Sequence, residues 1–266
     1  MPSDSLQPLV GGRSNYVWRV LGKTSCVLKL YGLGSRNPLF SNDPDREVSS
    51  LKALAGTGMA PRLLDEGAFE GRRWILYTHV TGDTWRRGAE HVAQLLGRLH
   101  DQPYFGTSPK GPNGSQQIGT AAFYILDRCF GAVRQQIQDA RPLVSVPKTN
   151  FITFIHGDPV PGNIVEHDGT LTLIDWQCPV LGDPAEDLAI FASPAMQLLY
   201  RGTPLSDQEE EAFFQAYPDR QVVERFQLLK PWFHWRMAAY CLWKTEQGQQ
   251  EYLDAMYLEL EALRRA

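Results

Sequence analysis

The stretch that decides the fold of this chain is the octapeptide His156-Gly157-Asp158-Pro159-Val160-Pro161-Gly162-Asn163. One apolar run, residues 151–155, precedes it, and another, residues 171–174, follows it and ends on Asp175. The dipeptide Asp168-Gly169 lies between the two runs and suits a tight turn, so we expect the runs to pair as a hairpin. The octapeptide would then lie beside the end of the second strand.

Two carboxylates and one amide would converge in this arrangement. Asp158 and Asn163 lie on the same loop, and Asp175 ends the following strand. Oxygen ligands of these kinds can hold a divalent metal ion and orient a hydroxyl group. Phosphoryl transfer needs these parts, because positioning and neutralisation of charge supply most of its acceleration.

The composition is that of an ordinary globular protein. The chain has 266 residues, 43% of them hydrophobic and 21% charged, which fits one large domain or two smaller lobes. Its formal net charge of -4 gives no electrostatic reason to bind nucleic acid or an anionic membrane. No apolar run approaches the roughly 20 residues of a membrane span, and the N-terminus lacks the pattern of a signal peptide.

The cysteines favour a reducing environment. They are far apart in sequence, without the spacing of metal ligands, and are Cys26, Cys129, Cys178 and Cys241. Each lies in an apolar or aromatic neighbourhood, which favours buried free thiols. We therefore expect a cytoplasmic protein.

The composition shifts near residue 80, which predicts a nucleotide-binding lobe at residues 1–80 and a catalytic and substrate-binding lobe at 81–266. Strand-like runs and glycines dominate the first part, and helical periodicity dominates the second. In the first lobe, a turn contains Gly11, Gly12, Ser14 and Asn15. Its backbone N–H groups and the Ser14 hydroxyl can bind phosphate oxygens, although a Gly-Gly hairpin is usually only a turn.

A lysine and a glutamate of the first lobe form a candidate ion pair. Alternation within the strand at residues 26–31 places Lys29 on one defined face. The next segment begins as a helix at Asp43-Pro44, and its periodicity places Glu47 on the inward side. A carboxylate there needs a cation, so we expect it to pair with the lysine near the α and β phosphates of a nucleotide. Solvated side chains are the alternative.

The segment that joins the lobes follows a strand-like run at residues 74–77. In a two-lobed nucleotide enzyme, the main chain of residues 78–82 would face an adenine. We therefore include Tyr77 and His79 among the candidate nucleotide-binding residues. A hinge or packing role is the alternative for His79.

Helical periodicity runs through the second lobe and predicts helices at residues 89–100, 121–140, 206–217 and 251–265. Asp187 lies inside a further apolar helix, where a buried carboxylate needs donors, and the backbone after His156 is a suitable source.

In the aromatic segment 231–245, Trp232 and Trp235 share one stripe, which favours core packing. A pocket that binds a cationic group is the alternative.

Four motifs of the chain, His-Gly-Asp with Asn after four further residues, Ile-Asp-Trp, Gly-Asp-Pro and Asp-Leu-Ala, resemble those of the aminoglycoside phosphotransferase and choline kinase group. These are small-molecule kinases whose fold is similar to that of protein kinases. The resemblance covers residues 9–191. It implies an α+β, two-lobed protein-kinase-like fold, with an N-terminal antiparallel sheet plus one helix and a larger, mostly helical C-terminal lobe.

The resemblance also implies ATP- and magnesium-dependent phosphorylation of a small-molecule hydroxyl. Asp158 resembles the catalytic base, and Asn163 and Asp175 look like the magnesium ligands. Lys29 resembles the phosphate-binding lysine, with Glu47 as its partner. The other matching residues support the catalytic loop or form the phosphate turn, and they are His156, Asp187, Gly11, Gly12, Ser14 and Asn15.

The phosphate acceptor is left open by this resemblance. Gln177 stands where choline and thiamine kinases usually have a glutamate, and the C-terminal residues 264–266 lack the acidic or aromatic end of several antibiotic kinases. An amino alcohol such as choline or ethanolamine is our first expectation, with an aminoglycoside or thiamine as alternatives. The candidate substrate residues are Trp176, Gln177, Trp232 and Trp235.

A catalytically silent nucleotide-binding regulator is the alternative from another class of protein, although every expected catalytic position is filled. A protein kinase is disfavoured, because Asp175-Trp176-Gln177 replaces Asp-Phe-Gly and no segment resembles an activation loop. We expect the partner to be a small-molecule hydroxyl compound, cationic in our first choice, and we leave the oligomeric state open.

Overall fold

The computed structural model describes residues 6–9, 15–22, 24–32, 37–103 and 108–266. The first part is an antiparallel sheet with strand order β1-β2-β3-β5-β4. Its strands are β1 (Leu6–Pro8), β2 (Asn15–Val20), β3 (Cys26–Tyr31), β4 (Leu63–Phe69) and β5 (Arg72–Thr78). Helix α1 (Pro44–Ala53) connects β3 to β4 and contacts β4 and β5. The predicted sheet with one helix is therefore confirmed.

Local sequence signals explain how this sheet and helix begin. The carboxylate of Asp43 accepts hydrogen bonds from the N–H groups of Asp45 and Arg46, and Pro44 occupies the first turn of α1. Strand β3 alternates between half-buried and buried residues, so Lys29 lies on the buried face of the sheet. The helix start and the strand face predicted from the sequence are both confirmed.

The connection between the lobes leaves β5 at Thr78 and passes through a short strand, β6 (Asp83–Thr84), into α2 (Ala89–His100). The predicted division near residue 80 falls within this connection. None of the helices in the described part of the chain has the length and apolar content needed to cross a membrane.

The second part is mostly helical. After α2 come α3 (Ser115–Leu126), α4 (Gly131–Asp139), α5 (Ala185–Ala192), α6 (Pro194–Arg201), α7 (Asp207–Ala216), α8 (Arg220–Glu246) and α9 (Tyr252–Arg265). The long helix α8 packs against α3, α4, α5 and α9, so it forms the centre of this lobe. Its near-complete burial over residues 232–242 explains why the aromatic segment has no polar face.

The single helix predicted at residues 121–140 is wrong. The structure has α3 and α4 instead, separated by residues 127–130. Gly131 adopts a φ of +77°, a left-handed conformation that glycine tolerates and that interrupts a continuous helix. Apolar periodicity persisted across the break, because both helices bury one face against α8.

The strands around the octapeptide differ from the expected hairpin. Strand β7 (Thr153–Ile155) pairs with β10 (Val180–Gly182), and β8 (Ile164–His167) pairs with β9 (Thr170–Leu173). The turn at Asp168-Gly169 is confirmed, with positive φ at both residues, but it joins β8 to β9. The predicted partner was wrong because the residues immediately before the turn form a strand themselves. The octapeptide still ends next to Asp175, as expected.

Candidate active site

A buried carboxylate orders the loop after β7. Asp187 of α5 has no exposed surface, and its two oxygens accept hydrogen bonds from the backbone N–H groups of His156 and Gly157, each at 2.8 Å. The Nε2 atom of His100 lies 3.0 Å from the same carboxylate. The contact between Asp187 and this loop, expected from the sequence, is therefore present, and His100 is an additional partner that the sequence did not indicate.

His156 connects the two segments that carry the acidic residues. Its Nε2 atom lies 3.1 Å from the carbonyl oxygen of Ile174, and its Nδ1 atom accepts the N–H of Asp158 at 3.2 Å. Burial lowers the pKa of His156, which favours the neutral ring with its proton on Nε2. Asp158 and the residue before Asp175 are thus held by opposite edges of one imidazole.

The octapeptide also makes a close backbone approach that requires glycine. Gly157 has a φ of +78°, and a Cβ atom at this position would lie 2.3 Å from the carbonyl oxygen of Cys178. A short 3-10 turn at Pro161–Asn163 then directs the chain into β8. As a result, the side chain of Asn163 lies next to the side chain of Asp158.

The amide of Asn163 is oriented by Asp158. Its Nδ2 atom donates to the backbone oxygen of Asp158 at 2.9 Å and to the Oδ2 atom at 3.3 Å. No described residue donates to the Oδ1 atom of Asn163, which leaves this oxygen as an available ligand. Asp175 has a φ of +65° and a partly exposed carboxylate, so the tight backbone projects its side chain from the end of β9.

These oxygens fit a magnesium ion that is shared with a nucleotide. Magnesium in phosphoryl-transfer enzymes is usually bound by one or two protein carboxylates together with substrate phosphates and water. Within the described residues, no group of three or more His, Cys, Asp or Glu side chains forms a complete metal site. Asn163 and Asp175 therefore suit a partial site that substrate phosphates complete.

A buried ammonium group lies opposite this loop. Lys29 is 2% exposed, and its Nζ atom lies 2.6 Å from the Oε2 atom of Glu47 and also contacts Asp175. The hydroxyl of Tyr31 donates to the same Glu47 oxygen. Burial by itself lowers the pKa of Lys29. The Asp175 and Glu47 carboxylates raise it by more, so the net pKa is above its usual range. The ammonium therefore stays charged at neutral pH.

Asp158 is a carboxylate with an unusual proton affinity. Burial raises the pKa of Asp158 well above its ordinary value, the charge of Asp175 raises it further, and the hydrogen bond from Asn163 opposes the shift. A carboxylate of this kind accepts a proton more readily than a solvated aspartate does.

Of the residues predicted to form the phosphate-binding turn, Asn15 is described by the structure, whereas Gly11, Gly12 and Ser14 lie outside the described residues. The Nδ2 atom of Asn15 lies 2.8 Å from Asn42 Oδ1 and 2.9 Å from Gln177 Oε1. The Oδ1 atom of Asn15 accepts the N–H of Gly32 at 3.1 Å. Asn15 therefore links β2 to the segment after Asp175, and Asn42 is a partner that the sequence did not indicate.

The structure places Tyr77 and His79 on either side of the end of β5. Tyr77 is buried on the inward face of the sheet, and burial raises the pKa of its phenol above the usual range. The backbone N–H of His79 donates to Ser25 at 3.0 Å, and its ring is partly exposed. A nucleotide-binding role for either residue remains a prediction.

The structure does not place the proposed substrate residues in an open cleft. Trp176 has no exposed surface, stacks on Phe154, and donates its indole N–H to the Leu173 carbonyl at 3.0 Å. The buried indoles of Trp232 and Trp235 donate to the carbonyls of Val144 and Ile137.

Core packing is thus the correct interpretation of these three tryptophans, because each indole body is buried and each N–H is satisfied within the protein. Gln177 is also buried, at 6% exposure, and its side-chain oxygen is used by Asn15. The sequence suggestion that these four side chains line a substrate pocket is therefore not supported.

Tyr240 of α8 is a buried contact with the first lobe that sequence reasoning did not select. Its hydroxyl accepts a hydrogen bond from Asn37 at 2.9 Å, and its ring packs edge to face with Phe40 at 5.2 Å. Burial raises the pKa of the Tyr240 phenol, and Asp158 is among the nearby charges that raise it further. Tyr240 belongs to the second aromatic stripe of residues 231–245, but only packing reveals that it faces the Asp158 side.

The aromatic cluster at this end of α8 already surrounds a cation of the protein. The Nζ atom of Lys244 lies 5.7 Å from the ring centre of Tyr240, 5.6 Å from Trp243 and 5.5 Å from Tyr252. Distances of this size are typical of cation–π contacts. The cation that this aromatic helix segment binds in the structure is therefore an internal lysine.

Comparison with known proteins decides the family. The phosphotransferase enzyme family model, APH, matches residues 5–226 of the chain. The chain belongs to this family. This APH-family protein is accordingly a small-molecule phosphotransferase with the kinase-like fold predicted from the motifs. No curated protein sequence matches the chain.

Solved structures share the architecture of this phosphotransferase. A choline/ethanolamine kinase family protein from Mesorhizobium loti is 16% identical with a TM-score of 0.65, covering 98% of this chain and 92% of that one. The GDP complex of aminoglycoside 2′-phosphotransferase-IIIa is 14% identical with a TM-score of 0.67, covering 100% and 95%. An amicoumacin kinase in complex with AMP-PNP, Ca2+ and Ami is 12% identical with a TM-score of 0.61, covering 100% and 90%. At these identities the likeness establishes the fold.

The close backbone approach at Gly157 gives a first prediction. Gly157→Ala should lower the free energy of unfolding by about 3 kcal/mol or more, because a left-handed alanine costs about 1–2 kcal/mol and the clash with Cys178 adds to it. Gly169→Ala is the matched control, since its φ is +74° but nothing lies within 4 Å of the added Cβ. It should lose only about 1–2 kcal/mol in urea unfolding. Equal losses in the two variants would contradict the proposed contact.

The pKa of Asp158 gives a second prediction, for the protein without nucleotide or metal. Because this pKa is higher in the folded state than the usual value of about 3.9, ionisation of Asp158 destabilises the fold as the pH rises. Asp158→Asn does not titrate and should therefore have a higher Tm than the wild type at pH 7. Each kcal/mol gained corresponds to about 2–4 °C in a domain of this size.

The pH dependence of this difference is the decisive measurement. The gain in Tm should shrink as the pH falls through the folded-state pKa, and it should vanish below about pH 4, where the wild-type carboxyl is protonated in both states. Asp168→Asn, at an exposed turn, should leave the Tm unchanged across the series. A gain for Asp158→Asn that is absent, or equal at every pH, would show that ionisation of this carboxyl carries no cost.

Proposed function

We propose that this phosphotransferase transfers the γ-phosphoryl group of ATP to the hydroxyl of a small molecule, with magnesium as the metal and an amino alcohol as the preferred acceptor class. The observation that carries the proposal is the convergence of Asp158, Asn163 and Asp175 beside the buried ammonium of Lys29. These are the groups that position a hydroxyl and neutralise phosphate charge in phosphoryl transfer. A silent regulator would not need this complete set.

Asp158 is the proposed catalytic base. Its raised pKa supports acceptance of the proton from the attacking hydroxyl, and the hydrogen bond from Asn163 orients its carboxylate. His156 and Asp187 are positioning residues, because they hold the backbone on either side of Gly157 and do not contact the reacting atoms. The loop is thus rigid before substrate binds, which reduces the entropy lost on reaching the reactive geometry.

Lys29 is the proposed ligand of the α and β phosphates. Glu47 fixes the ammonium at 2.6 Å, and the hydroxyl of Tyr31 fixes Glu47 in turn. The contact with Asp175 shows that the ammonium reaches the side of the cleft where Asn163 and Asp175 lie. Magnesium held by these two residues would neutralise charge on the phosphates during transfer. The protein then supplies a positive charge opposite two metal-binding oxygens.

The surroundings of Tyr240 bear on the acceptor. The half-buried Phe40 packs against the buried Tyr240 near Asp158, and the exposed part of this aromatic pair suits a single ammonium group. These observations rank an amino alcohol above an aminoglycoside.

Removal of the proposed base gives a third prediction. Asp158→Asn should reduce turnover of the best acceptor by about 10²–10⁴-fold, because the hydroxyl proton has no acceptor, while ATP affinity changes little. The assay measures ADP release with ethanolamine, choline, thiamine, an aminoglycoside and a sugar, and phosphorus NMR identifies the product. Asp168→Asn is the matched control and should turn over normally, since this aspartate lies in the β8–β9 turn.

The two parts of the proposal can fail separately in this assay. Normal turnover by Asp158→Asn would eliminate Asp158 as the base whichever acceptor is used. Activity with the aminoglycoside but with neither amino alcohol would leave the phosphotransfer mechanism intact and overturn the proposed acceptor class.

The metal site gives a fourth prediction. Asp175→Asn should weaken magnesium-dependent nucleotide binding by at least about tenfold, since it removes a charged ligand; asparagine also tolerates the left-handed backbone of this position. Calorimetric titration with ATP in the presence and absence of magnesium measures the effect. An unchanged dependence on magnesium would exclude Asp175 as a ligand.

A further inference from the structure

A cavity of about 290 Å³ lies within the helical lobe, between α5, α8 and α9 and the start of α7. Part of its wall is apolar, with Ile190 from α5, Phe233 and Met237 from α8, and Leu258 and Ala262 from α9, and the rest is polar or charged. Its size is near the lower end of the range for small-molecule sites, and the mixed wall suits a compact molecule that has both an apolar part and a polar group.

This cavity is separate from the phosphotransfer cleft. Helix α8 lines the cavity with residues between Phe226 and Met237, and Tyr240, which contacts the 37–40 segment of the first lobe, lies beyond them. Helix α9 runs in the opposite direction, with Tyr252 beside Tyr240 and Glu259 beside His234. None of Asp158, Asn163 and Asp175 contributes to the cavity wall.

Two buried polar atoms of the cavity residues have no partner among the residues that the structure describes. They are Nε2 of His234, whose side chain is 9% exposed, and Nε of Arg236, whose side chain is 2% exposed. Buried polar atoms in folded proteins are almost always hydrogen-bonded, so unpaired ones beside a cavity indicate a group that binds there.

The neighbours of His234 define what its free nitrogen can do. The Nδ1 atom lies 2.6 Å from Glu259, and the same carboxylate accepts from the Ser193 hydroxyl and from the N–H of Ala195. A carboxylate that accepts these bonds also attracts an imidazole proton to Nδ1, so Nε2 is the ring nitrogen that is left without a partner. The Nε–H of Arg236 can only donate. The cavity residues therefore present an unpaired imidazole nitrogen and an unpaired N–H donor.

The lysine and arginine side chains of the cavity wall are already paired. Lys230 lies 2.6 Å from Glu210, Arg236 lies 2.5 Å from Glu186, and Arg265 contacts Glu261. Because these cations have carboxylate partners, the wall offers no excess positive charge for a phosphate or carboxylate. A neutral hydroxyl fits better, since it can donate to a nitrogen lone pair or accept from an N–H.

We propose that this cavity is a binding site for a neutral small molecule with an apolar body and a hydroxyl group, recognised by His234 and Arg236. The apolar walls bind the body of the molecule, and the hydroxyl satisfies the unpaired nitrogen atoms. The site lies outside the set of residues assigned to phosphoryl transfer.

Three matched probes test the required chemistry by calorimetric titration of the full-length protein. Benzyl alcohol should bind about 3–10-fold more tightly than toluene, which lacks the hydroxyl, and than benzoate, which carries a charge. Equal affinity for benzyl alcohol and toluene, or tighter binding of benzoate, would overturn the proposal. Absence of binding by all three would show that the cavity holds only water.

Variants of the cavity wall test whether the probe binds inside the cavity. Ala262→Leu places a larger side chain on the cavity wall and should lower benzyl alcohol affinity at least about tenfold, since it removes space that the ligand fills. Ala140→Leu, at an exposed position after α4, is the matched control and should bind normally. If Ala262→Leu does not fold, Ala192→Leu blocks the cavity from α5. Unchanged affinity in a folded cavity variant would place the bound probe elsewhere and overturn the proposal.

Discussion

A buried ammonium group joins the sheet to the helical lobe. Lys29 lies between Glu47 of its own lobe and Asp175 of the other, with Tyr31 holding the glutamate. Loss of one member of a buried ion pair typically costs about 3–5 kcal/mol, because the remaining charge is left without a partner. This constraint links the orientation of α1 and β3 to the end of β9, so the fold itself brings together the groups that we propose to bind phosphate and metal.

The helical lobe supports the other side of the cleft through buried hydrogen bonds. Asp187 receives two backbone N–H groups of the octapeptide, and His156 connects Asp158 to the segment before Asp175. These contacts leave the loop little freedom. Burial raises the pKa of Asp158, and the charge of the nearby Asp175 carboxylate raises it further. The unfavourable proximity of the carboxylates is thus part of the chemistry proposed for the site.

Helix α8 serves different purposes along its length. Trp232 and Trp235 fill the core, whereas Tyr240, near the C-terminal end, contacts the 37–40 segment of the first lobe. The same helix forms a wall of the separate cavity at His234 and Arg236. A single aromatic segment therefore gives core packing, a contact with the first lobe and a cavity wall, which its composition alone does not distinguish.

Several features were determined by the sequence alone because they depend on near neighbours or on a motif. These include the start of α1 at Asp43-Pro44, the face of β3 that Lys29 shares with Val27 and Tyr31, the turn at Asp168-Gly169 and the proximity of the octapeptide to Asp175. Tertiary structure decided which strand pairs with β7, where the helix near Gly131 is interrupted and whether each tryptophan is buried. It also supplied Asn42, His100 and Lys244 as partners. Those outcomes depend on contacts between segments far apart in the chain, for which local periodicity carries no information.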